Sequence, residues 1–122
     1  MAVAEAKGIQ SDLIPKIATG FCSGVARTNG QCGALSGAIM GISLLTGRNS
    51  PDESVEENYL LIQDLIEMFE KEFGSTNCGQ LTQVDLNTEA GQIEFKSINK
   101  IENCLTYSEK ATEMALSLLE NV

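Results

Sequence analysis

The 122-residue chain contains no histidine and no tryptophan. The missing histidine excludes catalytic triads that need an imidazole base, zinc sites that use histidine ligands, and haem held by a histidine of the chain. Any acid–base chemistry must therefore come from carboxylates, lysines, tyrosines or thiols. Four cysteines are present, and their thiols are the most reactive groups in the chain.

Basic residues are also scarce. Eight lysines and arginines stand against 17 aspartates and glutamates, which gives a formal net charge of −9. A negative field repels phosphate backbones and anionic lipid surfaces, so neither nucleic acid nor a membrane is an expected partner. The excess charge is typical of a soluble protein surface.

Long apolar runs are missing as well. Residues 1–10 have scattered charges and no apolar stretch, so we predict a flexible N-terminal tail rather than a secretory signal. Residues 28–47 are uncharged, but five glycines and several polar residues make them too polar for a membrane span. These features favour a cytoplasmic location, where cysteines are more often reactive or metal-binding than joined in disulfides.

The spacing of apolar residues predicts one all-α domain over residues 1–122, a compact bundle of five or six helices. Its centre is expected to be a buried, glycine-rich helix over residues 32–46. There Gly33, Gly37 and Gly41 recur every four residues, although each glycine costs a helix about 1 kcal/mol relative to alanine. This ridge indicates that a second backbone or a cofactor packs very close, which makes Gly33 and Gly37 candidate cofactor-binding residues. Tight helix packing in the core explains the same pattern.

A long amphipathic helix is predicted over residues 51–73. Ser50 is the expected N-cap, with Pro51 at the first helical position and Glu53 closing a capping box. Gly74 is expected to end the helix in a left-handed conformation. The buried seam consists of apolar residues three or four apart: Val55, Tyr59, Ile62, Ile66, Phe69 and Phe73. Shorter helices are predicted around residues 14–21, from residue 78, over residues 88–97 and from residue 103, with a small-residue loop over residues 20–30.

The four cysteines are far apart along the chain, and no C-x-x-C pair occurs. This spacing argues against a zinc knuckle and a thioredoxin-like dithiol. Cys32, Cys78 and Cys104 each fall in the first turn of a predicted helix, where free backbone N–H groups and the helix dipole favour a thiolate. We therefore expect these three thiols to meet at one electropositive pocket, with Cys22 as a fourth member.

These residues resemble the redox-active family named for the cysteine pattern C_GCAxxG_C_C. The similarity is carried by GFCSGVAR, QCGALSGAIM, FGSTNC and ENC, and it runs from about residue 17 to the C-terminus. It implies a small helical domain, found mainly in anaerobes, with a redox or metal role. A related module is part of split-Soret cytochromes, but their C-x-x-C-H haem attachment is missing here, so haem is not implied.

The chain departs from the family pattern at one cysteine. The pattern has an early cysteine on an N-terminal helix, whereas residues 1–10 contain none, and Cys22 stands where the family usually has a glycine. Either Cys22 replaces that thiol in space, or the site has only the three family cysteines Cys32, Cys78 and Cys104.

Two classes of function follow. In the first, Cys22, Cys32, Cys78 and Cys104 hold an iron–sulfur cluster or zinc, or Cys32 forms a reversible disulfide with Cys78 or Cys104. In that case Cys32, Cys78 and Cys104 are the catalytic thiols, and a redox partner protein is expected. In the second, the chain is a non-enzymatic interaction module, either a subunit of an electron-transfer complex or a homodimer. A hydrolase or transferase has little support, because nothing places the remaining polar residues together.

Overall fold

The computed structural model describes residues 1–120 and Val122, and 69% of the chain is helical. No strand occurs in residues 1–120, so the prediction of an all-α fold is confirmed. The helices are α1 (Ala2–Ala6), α2 (Leu13–Ala18), α3 (Cys22–Arg27), α4 (Gly33–Thr46), α5 (Glu56–Phe73), α6 (Cys78–Thr82), α7 (Glu89–Ser97) and α8 (Ile101–Leu118). The six predicted helices correspond to α2 and α4–α8; α1 and α3 were expected to be irregular.

The core is built around α4, which packs against α1, α5 and α8. Leu35 and Ile42 of α4 are fully buried, and they belong to the same apolar cluster as Leu65 and Phe69 of α5. Because these residues recur at helical spacing, the apolar faces of the long helices meet in one continuous core.

The prediction of a flexible N-terminal tail over residues 1–10 was wrong. Residues Ala2–Ala6 form a helix, and Val3 and Ala4 are only 4% and 2% exposed. Gly41 provides the reason, since a Cβ at this position would lie 2.7 Å from the Cβ of Val3. The missing side chain lets α1 approach α4 closely, so this part of the glycine ridge serves helix packing.

The predicted start of the long helix was also wrong. α5 begins at Glu56, because residues 50–53 form a turn in which Glu53 N–H donates to the Ser50 carbonyl. The Glu53 carboxylate accepts from the Asn49 backbone N–H at 2.8 Å and so does not take part in a capping box. The end is as predicted, with Gly74 left-handed at φ +84°.

Residues 20–30, predicted as a loop, contain a 3₁₀ turn (Thr19–Phe21) and then α3, which is largely left-handed. Five consecutive residues have positive φ: Ser23, Gly24, Val25, Ala26 and Arg27. This conformation costs a non-glycine residue about 1–2 kcal/mol, and a β-branched residue such as Val25 adopts it rarely. The Gly24 carbonyl accepts hydrogen bonds from Gly30 N–H and from the Thr28 hydroxyl, and these contacts hold the turn.

The helices that the structure describes include none that is both long and apolar enough to cross a membrane.

We predict opposite effects of alanine at two glycines of α4. Gly41→Ala should destabilise the fold by about 1–3 kcal/mol, because the new methyl group overpacks against Val3. Gly37→Ala should stabilise it by about 1 kcal/mol, since Gly37 has nothing within 4 Å of its missing Cβ and alanine favours the helix. Urea unfolding of both variants measures the difference. Equal effects would contradict the packing of α1 on α4.

Candidate functional site

The structure brings all four cysteines to one cavity of about 330 Å³. All four are free thiols: Cys32 and Cys78 are buried, Cys104 is half-buried and Cys22 is exposed. Residues separated by up to 82 positions therefore share a single space. Their roles as metal ligands or redox thiols remain predictions.

Two backbone hydrogen bonds fix Cys32 beside Cys78. Cys32 N–H donates to the Thr76 carbonyl, and Cys78 N–H donates to the Gly30 carbonyl, each at 2.7 Å. They flank an isolated antiparallel bridge between Gln31 and Asn77. Because side chains alternate along extended backbone, both cysteines lie on the face opposite the bridge pair, toward the cavity.

The start of α6 is fixed by Asn77. Its side-chain oxygen accepts from Gln80 N–H at 3.0 Å, and its side-chain amide donates to the Asn29 carbonyl at 2.5 Å. Cys78 is the first residue of α6, as predicted. Cys104 lies in the first turn of α8, also as predicted, whereas Cys32 is the N-cap of α4 rather than part of its first turn.

Two glycines allow the left-handed turn to pack against this arrangement. A Cβ on Gly24 would lie 2.5 Å from the Cβ and 3.1 Å from the Sγ of Cys78. A Cβ on Gly33 would lie 3.1 Å from the Phe21 carbonyl oxygen and 3.4 Å from the Cα of Cys22. Close backbone approach, one of the two explanations for the glycine ridge, therefore applies at Gly33, which lines the cavity.

Gly37 lies away from the cysteine cavity. It lines a separate apolar groove between α1, α2 and α4 and does not line the cysteine cavity. The structure therefore does not place Gly37 near the four thiols.

Most residues of the cavity wall were not predicted from the sequence. Tyr107 and Ser108 follow Cys104 by three and four residues, and Leu81 and Thr82 follow Cys78 by the same spacing. Helical periodicity from each cysteine would have identified all four. The remaining lining residues are Ser23, Gly24, Ala34, Leu86, Phe95 and Ile101.

Tyr107 connects this wall to the core. Its ring meets Phe73 edge to face, with ring centroids 4.8 Å apart, and its hydroxyl donates to the Leu81 carbonyl at 3.4 Å. Burial, followed by the nearby Cys104, Cys32 and Cys78 thiols, raises the pKa of Tyr107. The phenol therefore stays protonated beside the thiols.

The prediction of an electropositive pocket around the thiols was wrong. No charged side chain is among the cavity-lining residues in the described part of the chain. Burial, and then the negative charge of Cys32 and Cys104, raises the pKa of the Cys78 thiol. Burial and Cys32 likewise raise the pKa of Cys104, with Lys100 acting weakly in the opposite direction. Desolvation and the charges of neighbouring cysteines thus favour the thiol over the thiolate at Cys78 and Cys104.

The cavity is wider than a site for a single ion. Within residues 1–120 and Val122, no group of three or more histidine, cysteine, aspartate or glutamate side chains is arranged to hold one metal ion. The four thiols face a common space without converging on one point.

Comparisons with known proteins give a family match and a distant relative. A family profile described as "Putative redox-active protein (C_GCAxxG_C_C)" matches residues 1–118. An "Uncharacterized protein" of Archaeoglobus fulgidus is 28% identical over 130 aligned residues, which cover 99% of this chain and 81% of the relative. No solved structure matches the chain.

We predict that Gly24→Ala disturbs Cys78 and that Gly8→Ala does not. Both glycines have positive φ, so both variants carry the same backbone cost of about 1–2 kcal/mol. Only at Gly24 does the new methyl group meet Cys78, because Gly8 has nothing within 4 Å. Gly24→Ala should therefore lose more stability and expose Cys78 to alkylation, as measured by urea unfolding and mass spectrometry. If Cys78 were alkylated equally slowly in both variants, the packing of the turn on Cys78 would be refuted.

We also predict that the fold loses stability in alkali. The folded-state pKa values of Cys78 and Cys104 are raised, so the folded protein holds these protons more tightly than the unfolded chain. This stabilisation is fully present below the ordinary thiol pKa of about 8.5 and is lost as the pH rises through the folded values. Urea unfolding at neutral and alkaline pH should show the loss, and Cys104→Ser should reduce it. A pH-independent result in the wild type would contradict the burial of these thiols.

Proposed function

Because the chain belongs to the C_GCAxxG_C_C family of redox-active proteins, we propose that its four cysteines form the redox centre and hold an iron–sulfur cluster. The observation that carries this proposal is the single cavity lined by Cys22, Cys32, Cys78 and Cys104. Iron–sulfur clusters in proteins are commonly held by four cysteine thiolates.

The shape of the cavity favours a cluster over a single zinc ion. Four thiolates around zinc lie about 2.3 Å from one common point. The described cysteines are not grouped in this way, and the cavity that they help to line has a volume of about 330 Å³. A cluster contributes its own iron and sulfide atoms, so its cysteine ligands stand further apart than the ligands of one ion.

The electrostatics favour a metal centre over a fast dithiol catalyst. A reactive thiol needs a lowered pKa, whereas the pKa values of Cys78 and Cys104 are raised. Their thiolates repel one another in a cavity without a charged lining residue, and a bound cationic metal would remove that repulsion. The site therefore suits thiols that lose their protons when metal binds.

The chain's own residues would set the properties of such a centre. Cys32, Cys78 and Cys104 are held at the beginnings of three helices, and Leu81, Phe95 and Tyr107 contribute apolar surface to the cavity wall. A bound cluster would supply one-electron transfer, and burial and hydrogen bonding around it would set its potential. Electrons would be exchanged with a redox partner protein, in the cytoplasm.

A reversible disulfide is the second candidate. The observation in its favour is that all four cysteines are free and that the charge of Cys32 acts on both Cys78 and Cys104. Joining two of these thiols would release two protons and transfer two electrons to an oxidised partner protein. If neither a cluster nor a disulfide forms, the interaction module remains.

Anaerobic reconstitution with ferrous iron and sulfide tests the proposal. The wild type should bind iron and acid-labile sulfide and give a visible absorption spectrum and an electron paramagnetic resonance signal after reduction. Cys32→Ala and Cys78→Ala should lose the iron and the spectra. Thr106→Ala, an exposed control on α8 outside the cavity, should retain them.

A colourless, iron-free wild type that circular dichroism shows to be folded would overturn the cluster. Thiol counting after mild oxidation then separates the alternatives. Loss of two free thiols, with a disulfide located by mass spectrometry, would support the second candidate, and four unchanged thiols would leave the interaction module.

A further inference from the structure

The short helix α2 is poorly covered by the rest of the chain. None of its six residues is buried, although Leu13, Ile14, Ile17 and Ala18 are apolar. Leu13 and Ile17 are 66% and 74% exposed. A helix of this length is unstable in water by itself and depends on packing for its stability. Its apolar face therefore lacks a partner within the chain.

The apolar groove between α1, α2 and α4 lies beside this face. It has a volume of about 370 Å³, and none of its lining residues in the described part of the chain has a charged side chain. Phe21 and Leu44 line it and are 44% and 46% exposed. With Ile17 they form an apolar patch of the kind, about 300–600 Å² in area, that is often an interaction site on soluble monomers.

Gly37 lines the same groove. Close neighbours explain the glycines on either side of it, since a Cβ on Gly33 or Gly41 would crowd Phe21 or Val3. Gly37 has nothing within 4 Å of its missing Cβ. Glycine destabilises a helix relative to alanine, and no contact within this chain accounts for it here. The open space at Gly37 leaves room for atoms of another chain.

The distribution of charge selects the kind of partner. The chain carries −9 in total, and α5 alone has six exposed carboxylates: Glu56, Glu57, Asp64, Glu67, Glu70 and Glu72. A basic partner would be attracted to α5 rather than to the groove, and an acidic partner would be repelled by the whole molecule. The groove is uncharged, so it suits a partner whose contact surface is also uncharged and apolar. A second copy of this chain presents that surface by symmetry.

The charges at the two ends of α2 are complementary to themselves. Asp12 is the N-cap and Lys16 lies four residues later, and both are exposed. Neither forms an ion pair within the described residues, where the pair found is Lys110 with Glu113. In a two-fold dimer each contact occurs twice with the roles exchanged. Two antiparallel α2 helices would therefore place Asp12 of each copy opposite Lys16 of the other.

We propose that two copies of this chain associate through this groove, with their α2 helices antiparallel about a two-fold axis near Ile14. Ile17 of each copy is buried by the other, and two Asp12–Lys16 pairs flank the apolar contact. A standard interface covers about 800 Å² per partner, and the smaller apolar patch here gives a weak dimer that dissociates on dilution. The cysteines take no part, so this inference is independent of the proposed function.

The first test is sedimentation velocity of the full chain in reductant, from about 1 μM to about 1 mM. Reductant prevents a disulfide between copies through the exposed Cys22. The wild type should dimerise as its concentration rises. Ile17→Glu should raise the dissociation constant about a hundredfold, because a carboxylate would be buried without a partner. Ile93→Glu is the matched control, 62% exposed on α7 and outside the groove, and should leave the constant unchanged.

The second test exchanges the charges of α2 at low ionic strength. Asp12→Lys and Lys16→Asp each place like charges across the axis, so each variant alone should dimerise about tenfold more weakly. In an equimolar mixture both contacts again join a lysine to an aspartate, and the mixed dimer should be about as tight as the wild type. Within each chain the two charges of α2 remain alike. A change in the stability of the helix therefore cannot restore the dimer.

The outcomes separate this inference from the alternatives. A folded wild type that stays monomeric up to about 1 mM overturns it, and sedimentation of that monomer with phosphatidylcholine vesicles would assign the groove to a lipid surface. A dimer that Ile17→Glu leaves unchanged overturns it as well, because the interface then lies elsewhere. Failure of the mixture to restore the dimer overturns the antiparallel pairing of α2. A wild type that dimerises but binds no iron overturns the proposed function alone. Circular dichroism verifies that every variant folds.

Discussion

Cys32 and Cys78 donate their backbone N–H groups across one short antiparallel bridge, and the site is arranged around these two hydrogen bonds. The bridge joins the start of α4, the central helix, to the start of the five-residue α6. A helix as short as α6 has little stability of its own, so its position depends on such contacts. Asn29 and Asn77 extend the connection to the left-handed turn, and α8 brings Cys104 against the same cavity.

The cavity places several ionisable thiols together without a compensating positive charge in its lining. The molecule as a whole carries −9, so its long-range field also disfavours thiolates. The protein alone is most stable with protonated thiols at Cys78 and Cys104. Under the proposed function, a bound metal would displace these protons, so the affinity of the site for metal would rise with pH until the thiols ionise unaided.

Hydrophobic periodicity was sufficient to predict the all-α fold and the long helices. The apolar residues of α5 repeat at helical spacing, and Gly74 ends that helix as expected. The meeting of distant cysteines was anticipated from their positions near helix starts and from the family resemblance. The capping-box pattern from Ser50 to Glu53 predicted the wrong start for α5. The Glu53 carboxylate instead accepts a hydrogen bond from the Asn49 backbone N–H, in a turn that precedes the helix.

Other features depend on tertiary contacts that no local pattern contains. Residues 1–10 contain no apolar run, yet Val3 is buried against α4 because Gly41 has no side chain. The left-handed conformation of Val25 and Ala26 contradicts their own preference, and only the folded environment maintains it. The raised pKa values of Cys78 and Cys104 arise from desolvation by burial and from neighbouring thiols that are distant in the sequence.

The reversed handedness of the turn has a consequence for the order of assembly. A segment whose intrinsic preference opposes its native shape cannot nucleate, so it must wait until the residues on which it rests are in position. Gly24 rests on Cys78, and Arg27 is bound by Asn87, so both α6 and the segment before α7 must already be in place. We therefore expect the turn that carries Cys22 to take its native shape after α6 and the segment before α7. Until the turn folds, the cavity stays open on the side of Cys22.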